Sequence, residues 1–376
     1  MTEVFFESFQ HMTQMERQNR GGLLQKCLKL ARRLEMRGSI EKGDTVAIKL
    51  HMGEQNNPSY LSPAIVRFFA DLVKEYGGQP FVTDTTSLYR YARHTMFEYL
   101  KTAASHGFTS ETMGCPVIIA DGLKGQSGTV VHVESPNLLK EITVAQYIYD
   151  ADVLVSLAHV TMHNNFPLGA TLKNVAMGCT TKRSKIAMHT VGNKPVLNPK
   201  KCVKCGACIK MCPGEAYSFK KGTITVDPDK CIGCAGCVAV CEGGAIDIPW
   251  DDGKAQTTIL DGYKAVCSTF SPDKLFLFNF GINIKEVCDC VEAGLSSVVP
   301  DIGVLASRDG VALDKATDDL IVAAPGNPYS IASLVNVMEP GSRKADAISS
   351  TARSESFWNA LVKTDPESMQ YKLITK

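Results

Sequence analysis

The sequence predicts an α/β fold in which a mostly parallel, doubly wound sheet is interrupted by a small cysteine-rich α+β insert. Apolar strand segments alternate with amphipathic helical segments on both sides of the insert, a pattern typical of parallel sheets covered by helices. Eight of the fourteen cysteines lie within residues 202–241. We therefore expect one α/β domain formed by residues 1–195 and 251–376, with the insert at residues 196–250.

The first half of the chain contains a predicted βαβ unit. An amphipathic helix at 22–37 precedes a strand at 44–50, and Ser62 with Pro63 begins a helix that ends near Tyr76. A second strand follows at 80–84, and a strand, helix and strand within about forty residues predict a parallel pair. The other predicted helices are 91–105, 138–149, 259–267, 313–322 and 355–363, and the other predicted strands are 116–120, 129–133, 153–157, 275–280 and 297–300.

The insert carries two copies of the spacing C-x2-C-x2-C-x3-C, which is the bacterial ferredoxin run. In such runs the first three thiolates ligate one 4Fe-4S cluster, and the fourth ligates the cluster of the other run. We therefore predict one cluster on Cys202, Cys205, Cys208 and Cys241, and a second cluster on Cys231, Cys234, Cys237 and Cys212. Zinc would leave the third cysteine of each run without a role, and a disulfide framework requires an oxidising compartment that nothing in the sequence indicates.

Composition excludes several classes of protein. The 376 residues are 44% hydrophobic and 21% charged, and 40 Lys and Arg against 39 Asp and Glu leave a formal charge of +1. This balance does not favour nucleic acid or an anionic membrane. The charged residues 1–20 do not resemble a signal peptide, and no apolar run predicts a membrane span. Together with reduced cysteines, these features predict a cytoplasmic protein, and low-potential clusters suit an anaerobe.

Polar residues follow the predicted strands, where ligands of doubly wound sheets bind. His51 and Glu54 follow one strand, and Asp84 ends the next. Further along come His163, Gly169, Lys173 and His189. Imidazoles, carboxylates and a lysine at one edge could bind a metal, hold an anionic group or move protons. Cys288 and Cys290, two residues apart, are candidates for metal ligands, for a reactive pair or for packed thiols.

These stretches resemble the iron–sulfur centre proteins of domain-of-unknown-function family 362, many of which carry a ferredoxin insert. The resemblance is found at residues 48–54, 83–89, 172–178 and 301–309, in both cysteine runs, and at Cys288 and Cys290. A more distant resemblance is to the lactate racemase family, in which a lysine between histidines tethers a nickel-pincer nucleotide. His163, Lys173 and His189 are similar to that family's residues in order and spacing.

The sequence thus predicts an iron–sulfur oxidoreductase or electron-transfer enzyme, with a flavoprotein or a ferredoxin-linked enzyme as redox partner. In this hypothesis His163 and His189 are ligands or proton donors, and Lys173 holds an anionic group. His51 and Glu54 complete the catalytic set, while Asp84 and Gly169 bind a cofactor with Lys173. The alternatives are a non-catalytic electron carrier and an isomerase-type enzyme with a metal cofactor tethered to Lys173.

Overall fold

The structure of the protein is a computed structural model that describes residues 2–9, 22–88, 91–191, 193–212, 214–220, 222–231, 236–249, 252–291, 296–349 and 352–375. The predicted cluster ligand Cys234 lies outside the described residues. None of the helices in the described ranges is long and apolar enough to cross a membrane.

The described strands form one large sheet and three small two-stranded ladders. They are β1 Thr2–Ser8, β2 Thr45–Lys49, β3 Gln79–Asp84, β4 Val117–Ile119, β5 Gly128–His132, β6 Glu141–Ala145, β7 Val153–His159, β8 Val196–Leu197, β9 Tyr217–Lys220, β10 Thr223–Val226, β11 Ile246–Asp247, β12 Leu275–Gly281, β13 Gly303–Ser307 and β14 Tyr371–Ile374. The large sheet has the order β14-β1-β13-β12-β7-β2-β3-β4.

The large sheet is mostly parallel, as the sequence predicts. The five consecutive strands β12, β7, β2, β3 and β4 pair in parallel with one another. Only β13 pairs antiparallel, with β12 on one side and β1 on the other. The chain proceeds from β2 outward to β4 and returns to β7 on the opposite side of β2. This reversal creates a topological switch point between the carboxyl ends of β2 and β7, where doubly wound sheets bind ligands.

Helices cover both faces of the sheet. They are α1 Leu23–Arg33, α2 Met36–Ser39, α3 Pro63–Glu75, α4 Met96–Ser105, α5 Ser110–Met113, α6 Gln146–Tyr149, α7 Thr171–Ala176, α8 Lys182–Thr190, α9 Ala207–Met211, α10 Gly236–Val240, α11 Asp252–Cys267, α12 Gly310–Ala323, α13 Ile331–Leu334, α14 Lys344–Ile348 and α15 Ser354–Thr364. Two short 3-10 helices span Pro199–Lys201 and Pro272–Lys274.

Two hydrophobic cores lie on opposite faces of the sheet because successive strand residues point to opposite sides. In β2, Val46 and Ile48 belong to the core beneath α1, α3 and α4. The intervening Ala47 belongs to the other core, which contains α7, α11 and α12. Burial on both faces explains why these strands are continuous apolar runs, and it gives the doubly wound arrangement its stability.

Capping side chains set the start of several helices. The Ser62 hydroxyl accepts from the amide of Ala64, with Pro63 in the first turn, as predicted. Thr95 and Glu98 form a capping box, so α4 begins at Met96 rather than at the predicted residue 91. Asp309 accepts from the amides of Val311 and Ala312, so α12 begins at Gly310.

Two sequence predictions are wrong. Residues 138–149 were expected to form one helix, but β6 pairs antiparallel with β5, and only Gln146–Tyr149 is helical. The cause is tertiary: the amides of Leu138 and Leu139 donate to the Asp261 carboxylate of α11, at 2.9 Å each. The second case is 297–300, predicted as a strand, which is irregular, while the strand lies at Gly303–Ser307. The edge strands β1 and β14 were not predicted.

One short ladder brings the two ends of the cysteine-rich insert together. Strand β8, at its start, pairs antiparallel with β11, at its end. Between them lie the hairpin of β9 with β10 and the short helices α9 and α10, which pack on each other. A small core of Tyr217, Ile224, Ile246 and Cys237 holds these pieces together.

Candidate functional site

A cavity of about 180 Å³ lies at the switch point of the sheet. Its walls come from the segments that follow β2, β3, β7 and β12, and from α7 and α8. Six of the seven candidate residues predicted outside the cysteine runs line it: His51, Asp84, His163, Gly169, Lys173 and His189. The seventh, Glu54, lies behind the wall, where its carboxylate accepts from Nε of the lining residue Arg93 at 2.9 Å.

A buried ion pair links the two central strands of the site. Lys49 at the end of β2 and Asp84 at the end of β3 are 1% and 3% exposed. Lys49 Nζ lies 2.8 Å from Asp84 Oδ1 and donates to Asn174 Oδ1 at 2.7 Å. The Tyr99 hydroxyl also donates to Asp84. Burial and the neighbouring Asp84 charge raise the pKa of Tyr99 well above its ordinary value, so this hydroxyl keeps its proton.

Lys173 lies against His163, with 2.5 Å between Nζ and Nε2. Burial, assisted by the Arg93 charge, lowers the pKa of Lys173 to about 7. Burial also lowers the pKa of His163 well below its ordinary value, so its ring is neutral. The amide of Asn165 donates to His163 Nδ1 at 3.0 Å, which places the ring proton on Nε2. His163 then donates to Lys173, and the lysine must be a neutral amine to accept.

His51 presents a hydrogen-bond donor that has no protein partner. The amide of Gly53 donates to His51 Nδ1 at 3.0 Å. Burial and nearby cations, Arg93 first, lower the pKa of His51 well below its ordinary value. The ring proton of the neutral imidazole therefore lies on Nε2, a buried atom without a partner among the described residues. Buried polar atoms are normally satisfied, so this donor is suited to a ligand.

His159 is the cationic histidine of the site. Its Nδ1 and Nε2 lie 2.8 Å from Asp289 Oδ2 and from the carbonyl oxygen of Ile282, respectively. Both partners are acceptors, so both ring nitrogens donate and the imidazole is protonated. Burial alone would lower the pKa of His159, but the Asp289 charge outweighs it and the pKa is raised. Asp289 is 5% exposed, and its Oδ1 has no partner in the described part of the chain.

Lys185 of α8 adds another cation to the wall. Its Nζ donates to Thr85 Oγ1 and to the carbonyl oxygen of Thr86, at 2.6 Å each. Burial lowers the pKa of Lys185 to about 8, although the Asp121 carboxylate at 3.9 Å raises it. Together with Lys49, Arg93 and His159, this lysine gives the lining four cations against the carboxylates of Asp84 and Asp289, an excess that suits an anionic ligand.

Asp314 of α12 positions the helix that carries Lys173. Its carboxylate accepts from the amides of Thr171 and Leu172, the first residues of α7, at 2.9 and 2.8 Å. It also accepts from Asn279 Nδ2 at 2.8 Å. Burial raises the pKa of Asp314 to about 7, while these donors lower it. The carboxylate therefore satisfies the buried end of a helix of only six residues.

We expect Asp314→Ala to lower the free energy of unfolding by about 2–4 kcal/mol, because three buried donors lose their acceptor. Denaturant titration of the purified protein measures this. Asp309→Ala is the matched control, since Asp309 caps the same helix, α12, at a less buried position and its loss should cost about 1 kcal/mol. Equal losses in the two variants would contradict the positioning role of Asp314.

Four cysteines from both runs meet in the insert. Cys202, Cys205, Cys208 and Cys241, the set predicted for one cluster, line a single small cavity. Backbone amides point at thiols: Lys204 donates to Cys202 Sγ at 3.4 Å and Ala245 to Cys241 Sγ at 3.2 Å. Such amide–sulfur bonds are those that tune ligating thiolates. No group of three His, Cys, Asp or Glu in the described ranges is disposed to hold a single metal ion.

The second predicted set is described in part. The Tyr217 hydroxyl donates a hydrogen bond to Cys237 Sγ at 3.2 Å. The amide of Ala216 donates to Cys212 Sγ at 3.3 Å. Cys212, Cys231 and Cys237 belong to the same small core, and Cys234 lies outside the described residues.

Helix α8 separates the insert from the cavity. Ile186 of α8 packs with Ile248 of the insert, and Val238 packs against both. Leu88, which lines the cavity, belongs to the same hydrophobic group. Lys185 and His189 of this helix also line the cavity. One short helix therefore contacts the helix α10, which contains Cys237, and also forms part of the pocket wall.

Sequence reasoning did not select Arg93, Lys185 or Asp289 for the site. Arg93 precedes a helix and Lys185 lies in a helix with other basic residues, so both are typical of solvated positions. Only their burial distinguishes them, at 4% and 7% exposed. Asp289 could have been suggested by its place between Cys288 and Cys290, which also line the cavity.

The fold and the site thus define an α/β protein with a positively charged cavity at the sheet's switch point and a cysteine-rich insert beside it. Residues 46–319 match the family model described as domain of unknown function 362, and the chain belongs to this family. No curated protein matches the chain.

Two solved structures show distant likeness. The lactate racemase apoprotein from Thermoanaerobacterium thermosaccharolyticum is 10% identical, with a TM-score of 0.38, 75% of this chain covered and 51% of that chain covered. A structural genomics protein from Thermotoga maritima is 11% identical, with a TM-score of 0.36 and 87% and 59% covered. The chain therefore spans between half and three-fifths of the length of these structures.

Proposed function

We propose that the protein is an iron–sulfur oxidoreductase whose insert holds two 4Fe-4S clusters and whose cavity holds an anionic substrate. Clusters of this type supply or accept single electrons. The observation that carries the proposal is the position of α8, because Ile186 packs on the insert while Lys185 and His189 line the cavity. We place the protein in the cytoplasm, with a flavoprotein or a ferredoxin-linked enzyme as redox partner.

The insert fits the proposed clusters. Cys202, Cys205 and Cys208 share a cavity with Cys241, which is the crossed arrangement of the two runs. The ligands of a cubane bind four different irons, so they need not approach as closely as the ligands of one ion. Val238, which follows Cys237 of the other run, packs on α8, and we infer that the cluster held by Cys237 is the one nearer to the cavity.

The residues of the cavity divide into those that bind and those that move protons. Lys49, Lys185 and Arg93 attract an acidic group, while the Nε2–H of His51 can donate a hydrogen bond to it. Lys173, as a neutral amine, can accept a proton from a bound substrate when its lone pair turns from His163 Nε2–H to the substrate. His163 holds this amine in place through Nε2.

Iron and sulfide analysis of anaerobically purified protein tests the proposal. We expect about eight irons and eight sulfides per chain, the content of two cubanes. Cys241→Ser should reduce the iron to about four or fewer, because it removes a ligand of one cluster. Cys267→Ser is the matched control, since Cys267 lies outside both runs and should leave the iron unchanged. Wild-type protein without iron, or equal iron in both variants, would overturn the proposal.

The second candidate is an isomerase-type enzyme with a metal cofactor tethered to Lys173. The observation that favours it is the position of a neutral lysine next to His163 in a cavity that His189 also lines. Burial lowers the pKa of His189 to about 4, so its ring is neutral and able to ligate. Intact mass without an adduct on Lys173, together with no nickel in metal analysis, would exclude this candidate.

The third candidate is a non-catalytic electron carrier. A carrier would keep its rate of electron transfer to an artificial acceptor after Lys173→Ala, and so would an oxidoreductase. Binding separates them: only the oxidoreductase has a ligand whose dissociation constant changes on Lys173→Ala. A fluorescence or calorimetric screen of small acids against both proteins provides that measurement.

A further inference from the structure

A pair of cysteines outside both runs lies in the wall of the cavity. Cys288 and Cys290 follow β12, and their sulfurs are bonded to each other in this structure. Both residues line the cavity, together with Asp289 between them. A Cys-x-Cys pair can exchange between a dithiol and a disulfide without movement of distant parts of the chain, since both thiols belong to one short segment.

The segment that carries this pair is held in place by the loop after β2. The carbonyl oxygen of Asp289 accepts from the amide of Glu54 at 3.0 Å and from Nδ2 of Asn57 at 3.1 Å. Asn57 Nδ2 also donates to the carbonyl oxygen of Val291 at 2.9 Å. The Asp289 side chain forms an ion pair with His159. The segment that carries the two cysteines therefore has a defined position in the cavity wall, which His159 also lines.

Among the residues that line the cavity, four cations outnumber the carboxylates of Asp84 and Asp289, and this excess favours a thiolate and an anionic partner. His159 carries a positive charge next to Asp289, and Lys49, Arg93 and Lys185 line the same cavity. Nearby cations stabilise a thiolate, which is the nucleophilic form of cysteine. The Oδ1 of Asp289, which has no partner among the described residues, can accept a proton from a neighbouring thiol.

The other cysteines of the sheet domain are unsuited to such chemistry. Burial raises the pKa of Cys27, Cys179 and Cys267 to about 12 and also raises the pKa of Cys115. At neutral pH these thiols keep their protons, and a protonated thiol is not a nucleophile. None of the four lines the cavity.

We propose that Cys288 and Cys290 are a redox-active dithiol–disulfide pair that reduces a small disulfide carrying acidic groups. One thiolate attacks the substrate disulfide, whose S–S bond breaks to release one thiol and leave a mixed disulfide. The second cysteine then attacks the mixed disulfide, the Cys288–Cys290 bond forms and the second thiol leaves. The pair loses two electrons and two protons, and the substrate gains them.

The return to the dithiol rests on the proposed function. It requires two electrons, which the two clusters of the insert would supply singly, and two protons, one for each sulfur. The exchange with a disulfide does not depend on the clusters, because a chemical reductant can also prepare the dithiol. The two proposals can therefore fail separately.

The test uses the anaerobic holoprotein, reduced with a phosphine, desalted and treated with 5,5′-dithiobis(2-nitrobenzoate), a small dianionic disulfide. We expect wild-type protein to release about two more thionitrobenzoates per chain than Cys288→Ser/Cys290→Ser. Cys290→Ser alone should release about one more and retain a mixed disulfide on Cys288, visible by peptide mass. The neutral probe 4,4′-dithiodipyridine should react about tenfold more slowly at this pair, each rate being taken relative to glutathione.

Equal thionitrobenzoate release from the wild type and the double variant would overturn the inference. A Cys290→Ser protein without a mixed disulfide on Cys288 would do the same. Equal relative rates with the anionic and the neutral probe would exclude an acidic substrate. Iron content, measured on the same samples, reports on the proposed function independently. Normal iron with no reactive pair refutes only this inference, and a reactive pair without iron refutes only the cluster proposal.

Discussion

Lys49→Met is expected to lower the free energy of unfolding by about 3–5 kcal/mol, the usual cost of removing one partner of a buried ion pair. The effect is large because Asp84, 3% exposed, would lose the ammonium at 2.8 Å and remain in the interior without an ionic partner. Asn174 would also lose the donor to its Oδ1. Urea unfolding followed by circular dichroism measures the change.

Lys124→Met is the matched control for this prediction. Lys124 Nζ lies 3.1 Å from Glu242 Oε1, but both side chains are more than 70% exposed. Surface ion pairs contribute about 0–1 kcal/mol, so the control should be close to wild type. Asp84→Asn in the Lys49→Met background should restore part of the loss, because it removes the unpaired charge. If Lys49→Met unfolded at the urea concentration of the control, the pair would have no stabilising role.

Lys173 is expected to be acylated at pH 7 one to two orders of magnitude faster than a surface lysine. With a pKa of about 7, half of its amine is neutral at this pH. An ordinary lysine, with a pKa of about 10.4, is neutral in roughly one molecule in 2,500. The lower basicity of Lys173 reduces its intrinsic reactivity, but the larger neutral fraction outweighs this loss.

The pH profile gives the clearest measurement. Since only the neutral amine reacts, labelling of Lys173 by trace acetic anhydride should rise to about pH 8 and then level off. The labelling of ordinary surface lysines should continue to rise to about pH 10. Competition peptide mass spectrometry compares these sites in one sample. A Lys173 profile that follows the surface lysines would show that this amine is charged at neutral pH.

His163 supports the same prediction from geometry. The amide of Asn165 donates to Nδ1, so Nε2 donates to Lys173, and a charged ammonium could not accept that bond. His163→Phe should therefore shift the labelling midpoint of Lys173, whereas a substitution of the distant Lys274 should not. This control lysine bonds to Glu41 and Asp44 at the other end of the sheet's strands.

Much of the fold followed from periodicity. The central strands are apolar on both faces because helices cover both faces, so the sequence shows each strand as a continuous apolar run. Their carboxyl ends meet at one edge, so candidate residues as far apart as His51 and Lys173 lie in one cavity. The spacing of the cysteines predicts a ferredoxin-type insert, and the structure brings Cys202, Cys205, Cys208 and Cys241 to one small cavity.

The errors arose where distant contacts override local preference. The helix expected at 138–149 is replaced by a hairpin, since Asp261 of α11 takes the amides that would begin it. Strands β1 and β14 come from opposite ends of the chain and pair with each other at the sheet edge. Nothing local marks such a pairing, because its hydrogen-bond partners are more than three hundred residues apart.

The sequence by itself determined the thiol spacing of the insert, the segments that form the central strands and the chemical types collected at their ends, because these depend on neighbouring residues. Tertiary structure alone decided which side chains are charged. Lys173 and Lys185 have the same covalent chemistry as any surface lysine, and only burial lowers their pKa. His51, His159 and His163 likewise differ only in what each ring nitrogen contacts, so their protonation follows from partners brought together by the fold.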